Sequence, residues 1–139
     1  MTKDDNSFLI QFDDPDSNLR LMFEDDGRTA YAYLIKGEQA VSLVWLYNHG
    51  SPPSETEWTD ESRMPFRNPV GFALDTEYPP ITDIREVAVA WGHGVGLPVI
   101  AEVYLRGNKH ALLKVGSKPG WCKLAVKDGP LAKVLKYPS

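Results

Sequence analysis

The chain of 139 residues carries a formal net charge of −4, and 42% of its residues are hydrophobic. This composition supplies enough apolar material for one core, so it excludes a disordered chain and predicts a single domain over residues 1–139. The single cysteine, Cys122, excludes an internal disulfide, and no apolar run approaches the roughly 18 residues of a membrane span. We therefore expect a soluble, cytoplasmic protein with no membrane partner.

Charge is divided unevenly along the chain. Residues 1–105 contain eighteen acidic and seven basic side chains, a balance of −11, whereas residues 106–139 contain one acidic and eight basic side chains, a balance of +7. A large field of one sign steers encounters with partners of the opposite sign. The alternative is that the two parts neutralise each other within the folded domain.

Four β-strands are predicted in the first 48 residues. Phe8–Phe12 and Leu19–Phe23 alternate apolar and polar residues around an acidic turn, and Thr29–Ile35 and Ala40–Tyr47 continue the pattern around glycine-containing turns. Short turns pair neighbouring strands, so an antiparallel meander is expected. Period-two alternation predicts one buried face, which carries Tyr31, Tyr33 and Ile35 on the third strand and Val41, Leu43, Trp45 and Tyr47 on the fourth.

The middle of the chain is less regular. Residues 48–69 predict a long loop, and loops longer than about 12 to 15 residues are often functional. Asn68-Pro69 opens a segment that fits either a short helix through Leu74 or a strand, and the sequence leaves both interpretations open over residues 68–78.

Three further strands and a terminal helix are predicted in the last third. The strands are Ile84–Trp91, Val99–Arg106 and His110–Val115, and a short helix is expected from Asp128 to about Lys136. The predicted fold is therefore mainly β. It is a single-domain antiparallel meander, sandwich or strongly curved sheet of about seven strands with a short C-terminal helix.

Two segments resemble ligand-binding loops only superficially. The glycine-rich residues 92–96 follow a strand, but a second strand follows where a phosphate-binding loop needs a helix, so a hairpin loop is predicted. Residues 14–25 have the length of a calcium loop, but Leu19 and Asp25 stand where glycine and a bidentate glutamate are required. An acidic surface turn is the stronger interpretation.

No motif specifies a chemistry. The potential metal ligands and nucleophile lack the short spacings of zinc sites, and no hydrolase or phosphate-loop motif is present. We therefore predict no catalytic residue, no cofactor and no metal. Enzymatic function is a weaker alternative, because it would require four residues to converge in the fold, namely His49, His93, His110 and Cys122.

The basic C-terminal segment provides another alternative. Its lysines could contact phosphates and Trp121 could stack on a base, although nucleic-acid-binding domains are usually basic overall and this chain is not. A solvated lysine face is the more ordinary interpretation of Lys109, Lys114, Lys118, Lys123, Lys127, Lys133 and Lys136.

Three segments carry a resemblance by pattern, namely residues 25–31 (DDGRTAY), 44–48 (VWLYN) and 118–121 (KPGW). The chain resembles a group of small uncharacterised bacterial proteins, some of which resemble the immunity proteins of polymorphic toxin systems. This resemblance implies a small domain that binds and blocks a protein toxin, and it implies no catalytic residue.

Acidic turns are the candidate binding surface for such a partner. We expect the turn aspartates to be exposed and to steer a basic protein, with two acidic residues of the long loop assisting and Trp58 as the apolar anchor or, alternatively, as a residue that packs the loop onto its own core. The candidate partner-binding residues are Asp13, Asp14, Asp16, Asp25, Asp26, Trp58, Asp60 and Glu61.

Overall fold

Two β-sheets make up the fold. The computed structural model describes residues 7–136, and no helix within that range is long and apolar enough to cross a membrane. The mainly β prediction is confirmed, with nine strands within the described residues rather than about seven. The strands are β1 (Phe8–Asp13), β2 (Leu19–Asp25), β3 (Thr29–Lys36), β4 (Gln39–Asn48), β5 (Val87–Gly92), β6 (Ile100–Leu105), β7 (Asn108–Lys114), β8 (Trp121–Cys122) and β9 (Lys133–Val134). Short 3₁₀ helices span Glu61–Arg63 and Ile84–Glu86.

The first sheet is the predicted antiparallel meander, with the order β1-β2-β3-β4. At the turn between β2 and β3, Gly27 adopts a φ of 92°, a conformation that glycine tolerates without steric cost. The Asp26 carboxylate accepts hydrogen bonds from the backbone N–H groups of Arg28 and Thr29. This aspartate therefore fixes the turn through its own side chain, which is a local reason why the hairpin forms here.

The buried face of β3 differs from the prediction: Tyr33 and Ile35 of the predicted face are only half-buried. The most completely buried alternation in β3 consists of Ala30, Ala32 and Leu34, and Ala32 pairs with the fully buried Val44 of β4. This face belongs to the core, where β4 lies against β7 and β8. On the opposite face the long loop reaches β3, where the Tyr31 hydroxyl donates a hydrogen bond of 2.6 Å to the carbonyl oxygen of Phe66, while Leu9 of β1 stays exposed.

The second sheet has the order β5-β6-β7-β8-β9. Its first three strands confirm the predicted ones, and residues 93–99 form the predicted loop of the β5–β6 hairpin. A two-residue turn joins β6 to β7, in which Arg106 and Gly107 have φ values of 52° and 81°. Positive φ at both positions is what a type I′ hairpin turn requires.

The predicted C-terminal helix is wrong. Residues 128–136 instead contain β9, which pairs with β8 in parallel. The Asp128 carboxylate accepts a hydrogen bond from Val134 N–H, six residues further on, rather than from a first helical turn. The carbonyl oxygen of Leu131 accepts from Trp45 N–H of β4. Because tertiary partners take up the backbone groups that a helix would pair internally, the segment stays extended.

The segment that the sequence left open is neither helix nor strand. Phe72 and Ala73 both donate backbone hydrogen bonds to the carbonyl oxygen of Pro69, which makes a single turn. Leu74 N–H then donates to the carbonyl oxygen of Leu124, and Ala73 forms an isolated bridge with Ala125. These contacts attach residues 69–74 to the chain that follows β8.

Candidate functional site

The prediction that the acidic side chains of the turns and the long loop are exposed is correct for some residues and wrong for others. Asp14 and Asp25 are only 3% and 1% exposed, so the expectation that their side chains lie at the surface is wrong. Asp26 is half-buried at its turn. The remaining acidic candidates are exposed, namely Asp13, Asp16, Asp60 and Glu61.

Asp14 is buried because a distant loop covers it. Its carboxylate accepts hydrogen bonds from the Ser17 hydroxyl, from Asp16 N–H at 3.2 Å and from His93 Nε2 at 2.6 Å. Burial alone raises the pKa of Asp14, but the hydrogen bonds from Ser17 and His93 outweigh it and hold that pKa below its ordinary value. The carboxylate is thus ionised at neutral pH, and it ties the β1–β2 turn to the β5–β6 loop.

This contact joins a loop with exposed apolar side chains to a turn with exposed acidic side chains. Val95 is fully exposed and Leu97 is 68% exposed on the loop that begins at His93, while Asp13 and Asp16 are exposed on the turn that His93 contacts. We call the surface formed by Asp13, Asp14, Asp16, His93, Val95 and Leu97 the acidic end. Exposed apolar side chains that lie on the same end of a protein as exposed charged ones are typical of protein-binding surfaces.

Part of the acidic end has the composition of a cation site. The ligand atoms of Asp14, Asp16 and His93 all lie within 4.8 Å of one another. The hydrogen bond between His93 and Asp14 occupies the space between two of them, so a cation would have to break it. The arrangement in the structure is therefore that of a hydrogen-bonded pair.

A second histidine–aspartate pair lies at the other end of β2. Asp25 accepts hydrogen bonds from Tyr47 Oη at 2.5 Å, from His49 Nε2 at 2.7 Å and from Gly27 N–H at 2.9 Å. Burial and the bond to Asp25 raise the pKa of Tyr47, so its hydroxyl stays protonated and donates. Asp25 and His49 line a cavity of about 410 Å³, together with residues that include Ser7 and Ile81.

The long loop is anchored by a buried carboxylate that sequence reasoning missed. Glu57 is 2% exposed and accepts hydrogen bonds from the Arg28 guanidinium, the Arg67 guanidinium and the Arg67 backbone N–H. Burial alone raises the pKa of Glu57, but the hydrogen bonds from Arg67 and Arg28 lower it to about 2. The signal in the sequence was the concentration of Arg63 and Arg67, ten residues or fewer from Glu57, in an otherwise acidic region.

Trp58 packs within the protein. Its ring meets Phe72 edge to face at a centroid distance of 5.3 Å, and it contacts the hydrophobic core. This is the packing alternative that the sequence left open for Trp58. Asp60 caps the first 3₁₀ helix by accepting from Ser62 N–H, and its carboxylate lies 3.7 Å from the Arg63 guanidinium.

The four residues that an enzyme or zinc site would need do not converge. His49 and His93 lie at opposite ends of β2, bound to Asp25 and Asp14. His110 and Cys122 do meet in the core, where both contact the carbonyl oxygen of Leu46. Burial lowers the pKa of His110 to about 4 and raises that of the Cys122 thiol to about 12, so both are neutral and serve packing.

The basic C-terminal segment surrounds one aromatic ring. The ammonium groups of Lys114 and Lys133 lie 5.6 Å and 4.6 Å from the centroid of Trp121. Such cation–π contacts stabilise a lysine at a partly exposed ring.

Comparison of the chain with known proteins gives no information about its function. No protein-family model matches the chain, and no match was found among curated proteins or among solved structures.

Proposed function

We propose that this protein is a binding module that recognises a basic protein through the acidic end, in the manner of an immunity-type inhibitor that neutralises a toxin by surface complementarity. One observation carries the proposal. The hydrogen bond of 2.6 Å between His93 and Asp14 joins the loop that carries the exposed Val95 and Leu97 to the turn that carries the exposed Asp13 and Asp16.

Each part of this surface has a physical role in binding. Apolar side chains supply affinity when a partner removes them from water, and each large side chain contributes roughly 1.5–3 kcal/mol when it becomes fully buried. Carboxylates at the rim accelerate the encounter with a basic partner and suppress acidic competitors. The His93–Asp14 contact holds the loop in place before binding, which lowers the entropic cost of association.

The net negative charge of residues 1–105 supports a positively charged partner. Residues 1–105 carry a balance of −11, and Asp13 and Asp16 belong to that part. A partner with a basic surface, such as a protein that itself binds nucleic acid, is therefore attracted from a distance at low ionic strength.

Affinity capture from the organism that encodes the chain, followed by association kinetics with the purified partner, tests this proposal. The double variant Asp13→Lys/Asp16→Lys should lower the on-rate roughly tenfold at low salt, and the loss should shrink as salt increases. The control Glu38→Lys/Glu55→Lys makes the same change in net charge at exposed positions elsewhere. An acidic partner, or equal on-rates for the two double variants, would refute the proposal.

The Asp25–His49 pair favours a second candidate, a small enzyme. Asp25 orients the His49 ring at the wall of a cavity of about 410 Å³, and an oriented imidazole can act as a general base. Incubation with p-nitrophenyl acetate and p-nitrophenyl phosphate tests this candidate. Turnover that His49→Gln abolishes and His93→Gln retains would favour it, and no turnover above background would exclude hydrolysis of these two esters.

A further inference from the structure

The Glu57 carboxylate is saturated by two of the three arginines around it. Oε1 accepts from Arg28 Nη2 at 2.7 Å and from Arg67 N–H at 2.9 Å, and Oε2 accepts from Arg67 Nε at 2.8 Å and Nη2 at 2.7 Å. A carboxylate offers about four acceptor positions. Glu57 therefore needs no third cation.

Arg63 is the third arginine near Glu57, and its contacts there are looser than those of Arg28 and Arg67. Its guanidinium lies 3.7 Å from Glu57 and 3.7 Å from Asp60, both beyond hydrogen-bond distance, and its side chain is 57% exposed. Three arginines thus meet two carboxylates, which leaves one positive charge in excess. The excess is notable because residues 1–105 contain only seven basic side chains in total.

The arginines line a shallow, open concavity. Arg28, Ser62, Arg63 and Arg67 line a concavity of about 350 Å³. The Arg28 guanidinium is held in place from behind, since Nη1 donates to the carbonyl oxygens of Arg63 and Pro65 at 3.2 Å each. Arg67 is held by Glu57. Two of the three guanidinium groups are therefore positioned before any ligand arrives, which lowers the entropic cost of binding.

We propose that this concavity, the arginine cup, binds an oxyanion, that is, a phosphate or carboxylate group of a ligand. Glu57 uses N–H groups of Arg28 and Arg67, while the exposed Arg63 has only the two ion pairs of 3.7 Å and donates no side-chain hydrogen bond within the described residues. The planar guanidinium fork matches both kinds of oxyanion with paired N–H donors. The cup lies at the β2–β3 turn, at the other end of β2 from the acidic end and roughly 20 Å away along a seven-residue strand, so this inference does not rest on the proposed function.

Titration of the purified protein at low ionic strength with inorganic phosphate, and separately with acetate, tests the inference. The arginine Nε–H NMR signals provide the readout. We expect saturable shifts of the signals of Arg28, Arg63 and Arg67 with at least one of the two anions, and the anion that binds more tightly identifies the class of ligand. Sodium chloride at matched ionic strength is the control for screening.

Two matched variants test whether the arginine cup is the site of the anion binding. Arg63→Gln removes the excess charge without touching the hydrogen bonds of Glu57, and it should weaken binding about tenfold. Arg85→Gln removes an arginine that is paired with Asp83 and whose side chain is 86% exposed, and it should leave binding unchanged. Shifts that chloride reproduces, equal losses in the two variants, or no saturable shift with either anion would overturn the inference.

Discussion

The two ends of β2 bury an aspartate in the same way but present different surfaces. At the first end, Asp14 binds His93 from a loop 79 residues away, and at the second, Asp25 binds His49. Each pair joins a turn of the meander to another part of the chain. At the first end the neighbouring aspartates are exposed on the turn, and the loop that His93 ties to it has an exposed apolar tip. At the second end Arg28 contacts a buried glutamate.

The difference teaches that an acidic run in a sequence is not an acidic surface. Residues 13–16 and residues 25–26 both read as acidic turns. Three arginines nevertheless line a concavity near the second turn, because the long loop brings Arg63 and Arg67 to the same side as Arg28. The sign of each surface is set by side chains that are distant in sequence, and the following changes separate the two ends.

The largest effect is expected at the second end, from Glu57→Gln. The variant leaves Arg28 and Arg67 without their buried anion. Since the two arginines are 41% and 31% exposed and can be solvated, we expect a cost of about 3 kcal/mol, the low end of the range for a buried ion pair. Urea unfolding at pH 7 measures the loss. The wild-type protein should also lose this stabilisation as pH falls from 4.5 towards 2, because the folded pKa of Glu57 lies below its ordinary value. The exposed Glu55→Gln should cost less than about 0.5 kcal/mol, and equal losses would contradict the interpretation.

His110 in the core gives the stability a pH dependence of its own, in a higher pH range than the carboxylates at the two ends of β2. The pKa of His110 is about 4 in the folded protein and 6.5 ordinarily. The unfolded chain therefore binds the proton first, and stability should fall by up to about 3 kcal/mol as pH decreases from 6.5 to 4. His110→Gln should remove most of this slope in unfolding measurements, while His93→Gln should retain it. A slope unchanged by His110→Gln would disprove the assignment.

A smaller effect is expected at the first end, from Asp14→Asn. The change weakens the hydrogen bonds from Ser17 and His93 and should cost about 1–2 kcal/mol at pH 7. Since the pKa of Asp14 is held below 3.8, the difference from wild type should shrink as pH falls below that value. Thermal unfolding at pH 7 and pH 3 provides the comparison. A difference that grows at acid pH would contradict this account of the pair.

The smallest effect on stability is expected at the loop tip of the acidic end. Val95 and Leu97 are exposed, so Val95→Ser/Leu97→Ser should change the free energy of unfolding by less than about 0.5 kcal/mol. The same variant should release a bound basic partner faster, since it removes the apolar contacts. A marked loss of stability would show that the pair packs within the protein rather than serving a partner.

The strands were predictable from the sequence because their signals are local. The alternation in residues 8–12 and 19–23 and the turn chemistry of Gly27 lie within a few neighbours of the strands they define. Residues 128–136 show the limit of local reasoning. Asp128 and Pro130 carry helix-start signals, yet the backbone there pairs with β4 and β8, and hydrogen bonds across the fold outweigh a weak local preference.

By itself the sequence determined the mainly β class, the meander of the first sheet and the uneven distribution of charge, because period-two alternation, turn residues and composition are properties of neighbouring residues. Only the tertiary structure decided that Asp14 and Asp25 are buried, that His93 draws Val95 and Leu97 to the acidic turn, and that three arginines gather around Glu57. The physical reason is that burial and charge pairing depend on contacts between segments far apart in the chain, and local patterns carry no information about which segments meet.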